Sequence, residues 1–280
     1  MDLLELMRSA GRVVKPLLPR AIEHGLKEVF HSFILPMTYW VERGDRQILQ
    51  QWNISAAPPP ALRHRVNGAP SLNSFLQIGR TNCESILKGL NMLGKGLSGS
   101  VLDFGCGSGR TLIWLDQRKS PDTRLLGCDV DREAVEWVNR NLGAVAIVNN
   151  HQPPLPYGES SIDILYSISV FTHLSERVQT AWLSEFQRIV KPGGAILISV
   201  HSSRSIAKLS SALRQKLEQH GHLHEDQSYV RARKIVGAEY NNSYHTREYI
   251  DEQWGKRFEI AGWVEMNMQD IVVMRRPGSS

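Results

Sequence analysis

The stretch VLDFGCGSGR, residues 101–110, decides the fold. A short apolar run, Val101 and Leu102, ends in the carboxylate Asp103. Gly105, Gly107 and Gly109 follow, and an apolar-periodic run then starts at Leu112-Ile113-Trp114-Leu115. The order is strand, tight turn, helix. Glycine accepts positive φ and lets a ligand approach the backbone, and a helix start presents unpaired N–H groups. Open α/β sheets bind small molecules at such turns, at the carboxyl ends of parallel strands. The spacing here is G-x-G-x-G, not the G-x-G-x-x-G of dinucleotide sites. A pyrophosphate is drawn to a helix N-terminus, but Asp103 would repel it. The carboxylate suits a ligand that carries positive charge.

Working outward, short and nearly continuous apolar runs predict strands at 101–104, 124–128, 144–148, 162–167 and 195–200. Such runs mark strands buried on both faces. Helical patterns alternate with them at 111–118, 132–142 and 176–190, and a helix at 82–93 precedes them. This β–α alternation implies right-handed crossovers and a parallel sheet. Lys191-Pro192-Gly193-Gly194 reads as a helix stop followed by a turn, and 259–266 with 270–274 as a terminal hairpin. The expected fold is α/β: a Rossmann-like, seven-stranded, mostly parallel sheet with helices on both faces. An N-terminal helical extension and a lid insertion after the fifth strand complete it.

Residues 1–52 carry apolar positions at mixed three- and four-residue spacing, which predicts helices ending near Lys15 and covering 20–34 and 43–52. Ala56-Ala57-Pro58-Pro59-Pro60 reads as a stiff connection. The expected domains are therefore 1–60, helical extension and linker, and 61–280, with 202–257 as a lid or substrate insertion containing a helix over 205–220 and a polar stretch over 221–240. Long insertions at the carboxyl face of a sheet usually build substrate walls.

Composition narrows the class. Of 280 residues, 41% are hydrophobic and 22% charged, as in globular proteins. Three cysteines without a CxxC pair argue against a disulfide framework and for a reducing, cytoplasmic setting. Charges interrupt any signal-like run near the start, and no stretch reaches the roughly 20 apolar residues of a span. The apolar stripe of residues 20–34, flanked by Arg20 and Lys27, leaves open a peripheral contact with the inner face of the membrane. The net charge of +5 is too mild and too scattered to point to nucleic acid.

Residues 101–110 resemble motif I of the class I S-adenosylmethionine-dependent methyltransferases, and the resemblance extends over about 100–200. Gly127-Cys128-Asp129-Val130-Asp131 resembles the second motif, in which an acidic residue holds the ribose hydroxyls; Asp129 matches it, and Asp131 reads as a helix N-cap. Leu155-Pro156-Tyr157 with Ser160-Ser161-Ile162-Asp163 resembles the stretch before the fourth strand. The family often has aspartate just ahead of it, where this chain has Asn149-Asn150-His151-Gln152. The resemblance thus implies S-adenosyl-L-methionine as cofactor. Its site would comprise Asp103, Gly105, Cys106 and Gly107 in the turn, Asp129 and Val130 after the second strand, Asn150 or His151 against the adenine, and Ser167 at the end of the fourth. Cys106 would be a packing residue. Ser167-Ile168-Ser169-Val170-Phe171-Thr172-His173-Leu174, with Tyr244-His245-Thr246 and Gln269-Asp270-Ile271-Val272-Val273, resembles a bacterial small-molecule branch associated with glycan assembly.

The expected reaction is methyl transfer to a small-molecule or glycan acceptor, at a hydroxyl oxygen. Loss of the hydroxyl proton calls for a base, and histidine has a suitable pKa. His173 and His245 are the leading candidates and His201 the third. RNA or protein methylation, and non-catalytic binding of S-adenosylmethionine, are the alternatives. His220-Gly221-His222-Leu223-His224 has the look of a metal tract but lacks a complementary ligand cluster, so no metal is expected.

Overall fold

The computed structural model describes residues 45–225 and 241–278. The helices expected over 1–15 and 20–34, the membrane contact assigned to them, and most of the polar stretch 221–240 lie outside these residues. The chain divides into two compact units, Met1–Ser55 and Ala56–Ser280. In the first, the described element is helix α1, Asp45–Trp52.

The second unit holds α2 (Pro60–Asn67), α3 (Leu72–Met92), β1 (Ser100–Phe104), α4 (Leu112–Asp116), β2 (Arg124–Asp129), α5 (Arg132–Asn141), β3 (Ala144–Val148), β4 (Ile162–Ser167), α6 (Glu176–Ile189) and β5 (Val190–His201). Then come α7 (Ser203–Ile206), α8 (Ser211–His220), β6 (His222–Glu225), β7 (Asn242–His245), α9 (Arg247–Gln253), β8 (Glu259–Val264) and β9 (Gln269–Arg275). The seven-stranded sheet has the order β3-β2-β1-β4-β5-β9-β8, and β6 pairs with β7 in a separate ribbon. Strands β1 to β5 pair in parallel, while β9 is antiparallel to both β5 and β8. The chain steps one way from β1 to β3 and the other way from β4 to β5. Right-handed crossovers therefore put α4 and α5 on one face and α6 on the other. The switch between β1 and β4 opens a crevice at their carboxyl ends, where such sheets take ligands.

Four local expectations are corrected. The helix expected at 82–93 starts at Leu72, because the stripe Leu72, Phe75, Leu76, Gly79, Cys83, Ile86 and Leu90 is continuous and Ser71 Oγ accepts from Ser74 N. The stiff connection read over 56–60 runs straight into a helix, α2, over residues 60–67. Pro60 occupies its first turn, where a missing N–H costs nothing, and the buried Arg63 guanidinium donates to the carbonyls of Pro58 (3.0 Å) and Pro70 (2.7 Å). Lys191-Pro192-Gly193-Gly194 lies within the span of β5 at a register shift against β4. The helix expected over 205–220 is two, α7 and α8; the second begins where Ser210 Oγ accepts from Leu213 N.

The core lies on both sheet faces. On the α6 side, Phe104 at the end of β1 meets Trp182 and Phe186 at ring-centroid distances of 4.5 and 4.9 Å. On the other side, α3 lies against α4: the Trp114 indole N–H donates to Leu76 O at 3.0 Å. A Cβ on Gly79 would sit 2.1 Å from the Arg110 carbonyl oxygen. Alanine at Gly79 would gain about 1 kcal/mol of helix propensity. It meets backbone rather than a flexible side chain, so steric cost wins. Gly79→Ala is expected to destabilise the fold by about 1–3 kcal/mol, the range for overpacking, seen as a lower urea midpoint at unchanged slope.

Candidate functional site

The turn after β1 is tied down by β2. Gly105 N and Cys106 N both donate to Cys128 O, at 2.8 and 3.0 Å. Gly105 (φ 82°) and Gly107 (φ 49°) adopt the left-handed backbone this wrap demands. Gly107 N then donates to Asp129 Oδ2 at 2.7 Å, and Asp131 N donates to Asp129 Oδ1 at 2.8 Å. Asp131 itself caps α5, as its sequence position predicts, accepting from Glu133 N and Ala134 N. Val130 is half-buried between the two aspartates, and Cys106 is buried with its sulfur against Gly127. Burial pushes the Cys106 thiol well above its ordinary value, so it packs rather than reacts.

Two carboxylates face the crevice in low-dielectric surroundings. Asp103 is 3% exposed. Burial pushes its pKa up to about 8; the Tyr166 hydroxyl and Arg110 guanidinium oppose the rise, and the Asp129 charge adds to it. Burial also raises Asp129, against the pull of the N–H groups of Asp131 and Gly107. The pair is complementary to a ligand with a cationic end and vicinal hydroxyls.

Sequence reasoning passed over the wall above this turn. α2 carries it. A Cβ on Gly107 would lie 2.7 Å from Val66 Cγ2, and one on Gly105 would lie 2.2 Å from Val170 Cγ2. The Arg110 guanidinium donates to Val66 O (3.1 Å) and Asn67 Oδ1 (3.2 Å). Arg65 forks onto Asp131, 3.0 and 2.8 Å, and pairs with Glu133. The available sequence signal was Pro60 at a helix start and Gly68 at its end.

The opposite rim is held by α6. Trp182 Nε1 donates to His151 O at 3.3 Å, and Glu185 Oε1 accepts from Leu155 N at 2.8 Å. Arg188 reaches the carbonyls of Tyr157 and Leu155. Asn150 and His151 are exposed on this rim, and Asn149 N donates to Asp129 O. Ser167 is fully buried at the end of β4. Its hydroxyl and that of Ser108 have no hydrogen-bond partner among the described residues. The glycine cradle, the two carboxylates and these unpartnered hydroxyls fit a nucleoside ligand with a charged tail.

The β6–β7 ribbon brings the three histidines together. Ser243 N donates to Thr172 O at 2.8 Å and Asn241 N to His173 O at 3.1 Å, which docks β7 on the loop after β4. His201 Nδ1 lies 2.9 Å from Ser243 O and His173 Nδ1 lies 3.1 Å from Asn241 O. A carbonyl partner requires Nδ1–H, so Nε2 carries the lone pair in both. Burial holds His201 below its usual value and takes His173 down to about 4. His245 is buried among His222, Tyr249 and Trp254 and donates from Nε2 to Gln179 Oε1 at 2.8 Å. Gln179 spends its own N–H groups on Phe171 O and Leu174 O, which fixes that direction. No group of three or more metal-ligating side chains occurs among the described residues.

Comparison with known proteins agrees with this geometry. Residues 101–194 match the family described as "Methyltransferase domain". A malonyl-[acyl-carrier protein] O-methyltransferase of Herminiimonas arsenicoxydans is 28% identical over 155 residues, 55% of this chain and 55% of that protein. A tRNA N(3)-cytidine methyltransferase of Gallus gallus is 29% identical over 125 residues, 41% of this chain and 34% of that protein. The chain thus spans about a third to about half of these relatives' lengths. The crystal structure of an S-adenosylmethionine-dependent methyltransferase from Mesorhizobium loti superposes with a TM-score of 0.50 at 14% identity, over 69% of this chain and 98% of that one. Residues 101–194 thus match a methyltransferase domain, and the strand order is that of the Rossmann-like fold found in S-adenosylmethionine-dependent methyltransferases.

Proposed function

We propose that the protein transfers a methyl group from S-adenosylmethionine to a hydroxyl oxygen of a small molecule or glycan. The observation that supports the reading is the Asp129 carboxylate closing the Gly105–Gly107 turn beside the buried Asp103, at the carboxyl ends of β1 and β2. His201, whose tautomer a backbone carbonyl sets, ends β5 of the same sheet.

Asp129 would accept both ribose hydroxyls, and Asp103 would face the cationic tail. Asn150 or His151 lies at the adenine rim, and Ser167 beside the reacting end. When bound, the sulfonium supplies an activated methyl whose C–S bond breaks as the new O–C bond forms. Holding the acceptor in line with that bond supplies much of the acceleration, up to roughly 7–11 kcal/mol. His201 Nε2 would take the hydroxyl proton. We place the base there, ahead of His173 and His245, because His201 lines both cavities beyond β5, whereas His245 is buried and His173, half-buried like His201, lines neither. A tRNA acceptor is the second reading, favoured by the match to the tRNA methyltransferase. The absence of a basic, aromatic-studded face from the sequence reading weighs against it. The test is formation of S-adenosylhomocysteine across sugars, nucleotide sugars, phenols and bulk tRNA. Product with tRNA alone would replace the hydroxyl reading by the second.

Calorimetric titration should show Asp129→Ala weakening S-adenosylmethionine binding by at least about tenfold, as for loss of a charge-assisted fork. Undiminished affinity would remove Asp129 from the site. Arg65→Ala should speed release of S-adenosylhomocysteine in stopped-flow displacement while leaving the melting temperature within a few degrees, since a half-exposed ion pair adds only about 0–1 kcal/mol to stability. The Asp103 pKa gives a pH signature. Its folded value is raised, so between the usual carboxylate range and about 8 the native state keeps a proton that the unfolded chain has lost. The ligand-free protein should therefore lose stability as pH rises through that window, and cofactor affinity should rise. Asp103→Asn should flatten both trends in melting curves and titrations run at several pH values.

A further inference from the structure

The loop after β4 and the start of β9 meet at one ring of hydrogen bonds. Ser169 N donates to Ser199 Oγ at 2.8 Å, and Ser199 Oγ donates to Gln269 Oε1 at 2.8 Å. Gln269 Nε2 then donates to Ser169 Oγ at 2.9 Å, which closes the ring. Ser169 Oγ also lies 3.0 Å from Gln269 Oε1, across 100 positions of sequence. Ser199 Oγ already accepts from a main-chain N–H, so its own proton is left for the Gln269 carbonyl oxygen. Ser199 is fully buried, and a hydroxyl left unpaired there is costly. Three segments are thereby joined: the loop after β4, strand β5 and the first residue of β9.

The sheet does not need this ring to stay together. β5 and β9 already pair through the main chain from Ala195 to His201, with Gln269 opposite His201. What the ring holds is the conformation of Ser169. That residue has φ 62°, in the left-handed region that residues other than glycine seldom enter. Its N–H and its hydroxyl both belong to the ring, and such a backbone persists only where its surroundings over-determine it.

The consequence reaches the turn after β1 in one step. Val170 follows Ser169, and its Cγ2 fills the space that Gly105 leaves by having no side chain: a Cβ there would lie 2.2 Å away. Valine is branched at Cβ and stiff at χ1, so its backbone sets where that methyl sits. His173 N donates to Val170 O at 2.9 Å, which closes the next turn of the loop. A Ser169 relaxed to negative φ would swing Val170 off Gly105, the first glycine of the turn.

We infer that Gln269 is a positioning residue for the turn after β1. Acting through Ser169 and Val170, it holds Gly105 in the shape that takes S-adenosylmethionine. The inference rests on the reading above for what the turn binds, but the effect on the turn is measurable with no ligand present.

The experiment uses Gln269→Leu, which keeps the bulk of the side chain and removes both polar atoms. Hydrogen exchange of the ligand-free full chain, read by mass spectrometry, should quicken in peptides covering residues 103–109 and 168–173. The expected change is about fivefold, the worth of one buried hydrogen bond. Calorimetric titration with S-adenosylhomocysteine should show affinity lower by about the same factor. Adding Ser169→Gly should restore most of both, because glycine takes φ 62° unaided. A glutamine that merely packed at the start of β9 could not be replaced by a glycine in another loop. Ser199→Ala opens the ring at its middle and should act like Gln269→Leu; it decides the matter if the leucine variant does not melt cooperatively. Unchanged exchange over 103–109 in a variant that melts cooperatively, or no recovery on adding Ser169→Gly, would overturn the assignment. Failure of the wild type to bind S-adenosylhomocysteine would instead overturn the cofactor reading, while the exchange comparison would still decide the positioning role.

Discussion

The N–H of Gly107 donates to the Asp129 carboxylate, and most of the site depends on that bond. It closes the turn after β1 onto the end of the neighbouring strand. The turn can reach Asp129 only because Gly105 and Gly107 take a left-handed backbone and because Cys128 O holds Gly105 N and Cys106 N on the way. The parallel register sets Asp103 opposite Gly127, two residues short of Asp129. Two acidic side chains are thereby brought to the ends of adjacent strands under a lid of apolar side chains. Burying both costs free energy in the ligand-free protein, and a cationic ligand offsets that cost. Strain and unfavourable charge concentrated at one place are the expected signature of a binding site.

Around this point the rest of the domain acts as a frame. α6 packs Trp182 and Phe186 on Phe104 and also pins the rim at His151, Leu155 and Tyr157 through Trp182, Glu185 and Arg188. One helix therefore sets the position of both the β1 end and the loop that faces it. On the other flank, the buried Arg63 draws Pro58 and Pro70 together, so α2 sits as a closed unit with Val66 on the cofactor turn. The β6–β7 ribbon docks through main-chain bonds to Thr172 and His173. That docking sets the carbonyls of Asn241 and Ser243 against Nδ1 of His173 and His201.

The parallel core was legible because its signals are local. Apolar runs at 144–148 and 162–167 coincide with β3 and β4, and the terminal hairpin appears as β8 and β9. Asp131 as an N-cap, and the carboxylate before a glycine turn, follow from side-chain chemistry within a few residues. α2 was missed because three prolines suggest extension unless the last is recognised as a helix start. The extra length of α3 was missed because Gly79 interrupts its stripe, although the glycine is there to admit the backbone of Arg110.

By itself, then, the sequence determined the fold class, the glycine turn after β1 and the likeness of residues 101–194 to a methyltransferase domain. Periodicity, turn chemistry and a motif of ten residues act over short separations, so one dimension is enough to read them. Tertiary structure alone decided the surroundings of His173, His201 and His245. Their protonation and exposure depend on Asn241, Ser243 and Gln179, which lie 42 to 68 residues away in the chain. Burial and hydrogen-bond partners are properties of three-dimensional neighbours, and no spacing in the sequence announces them.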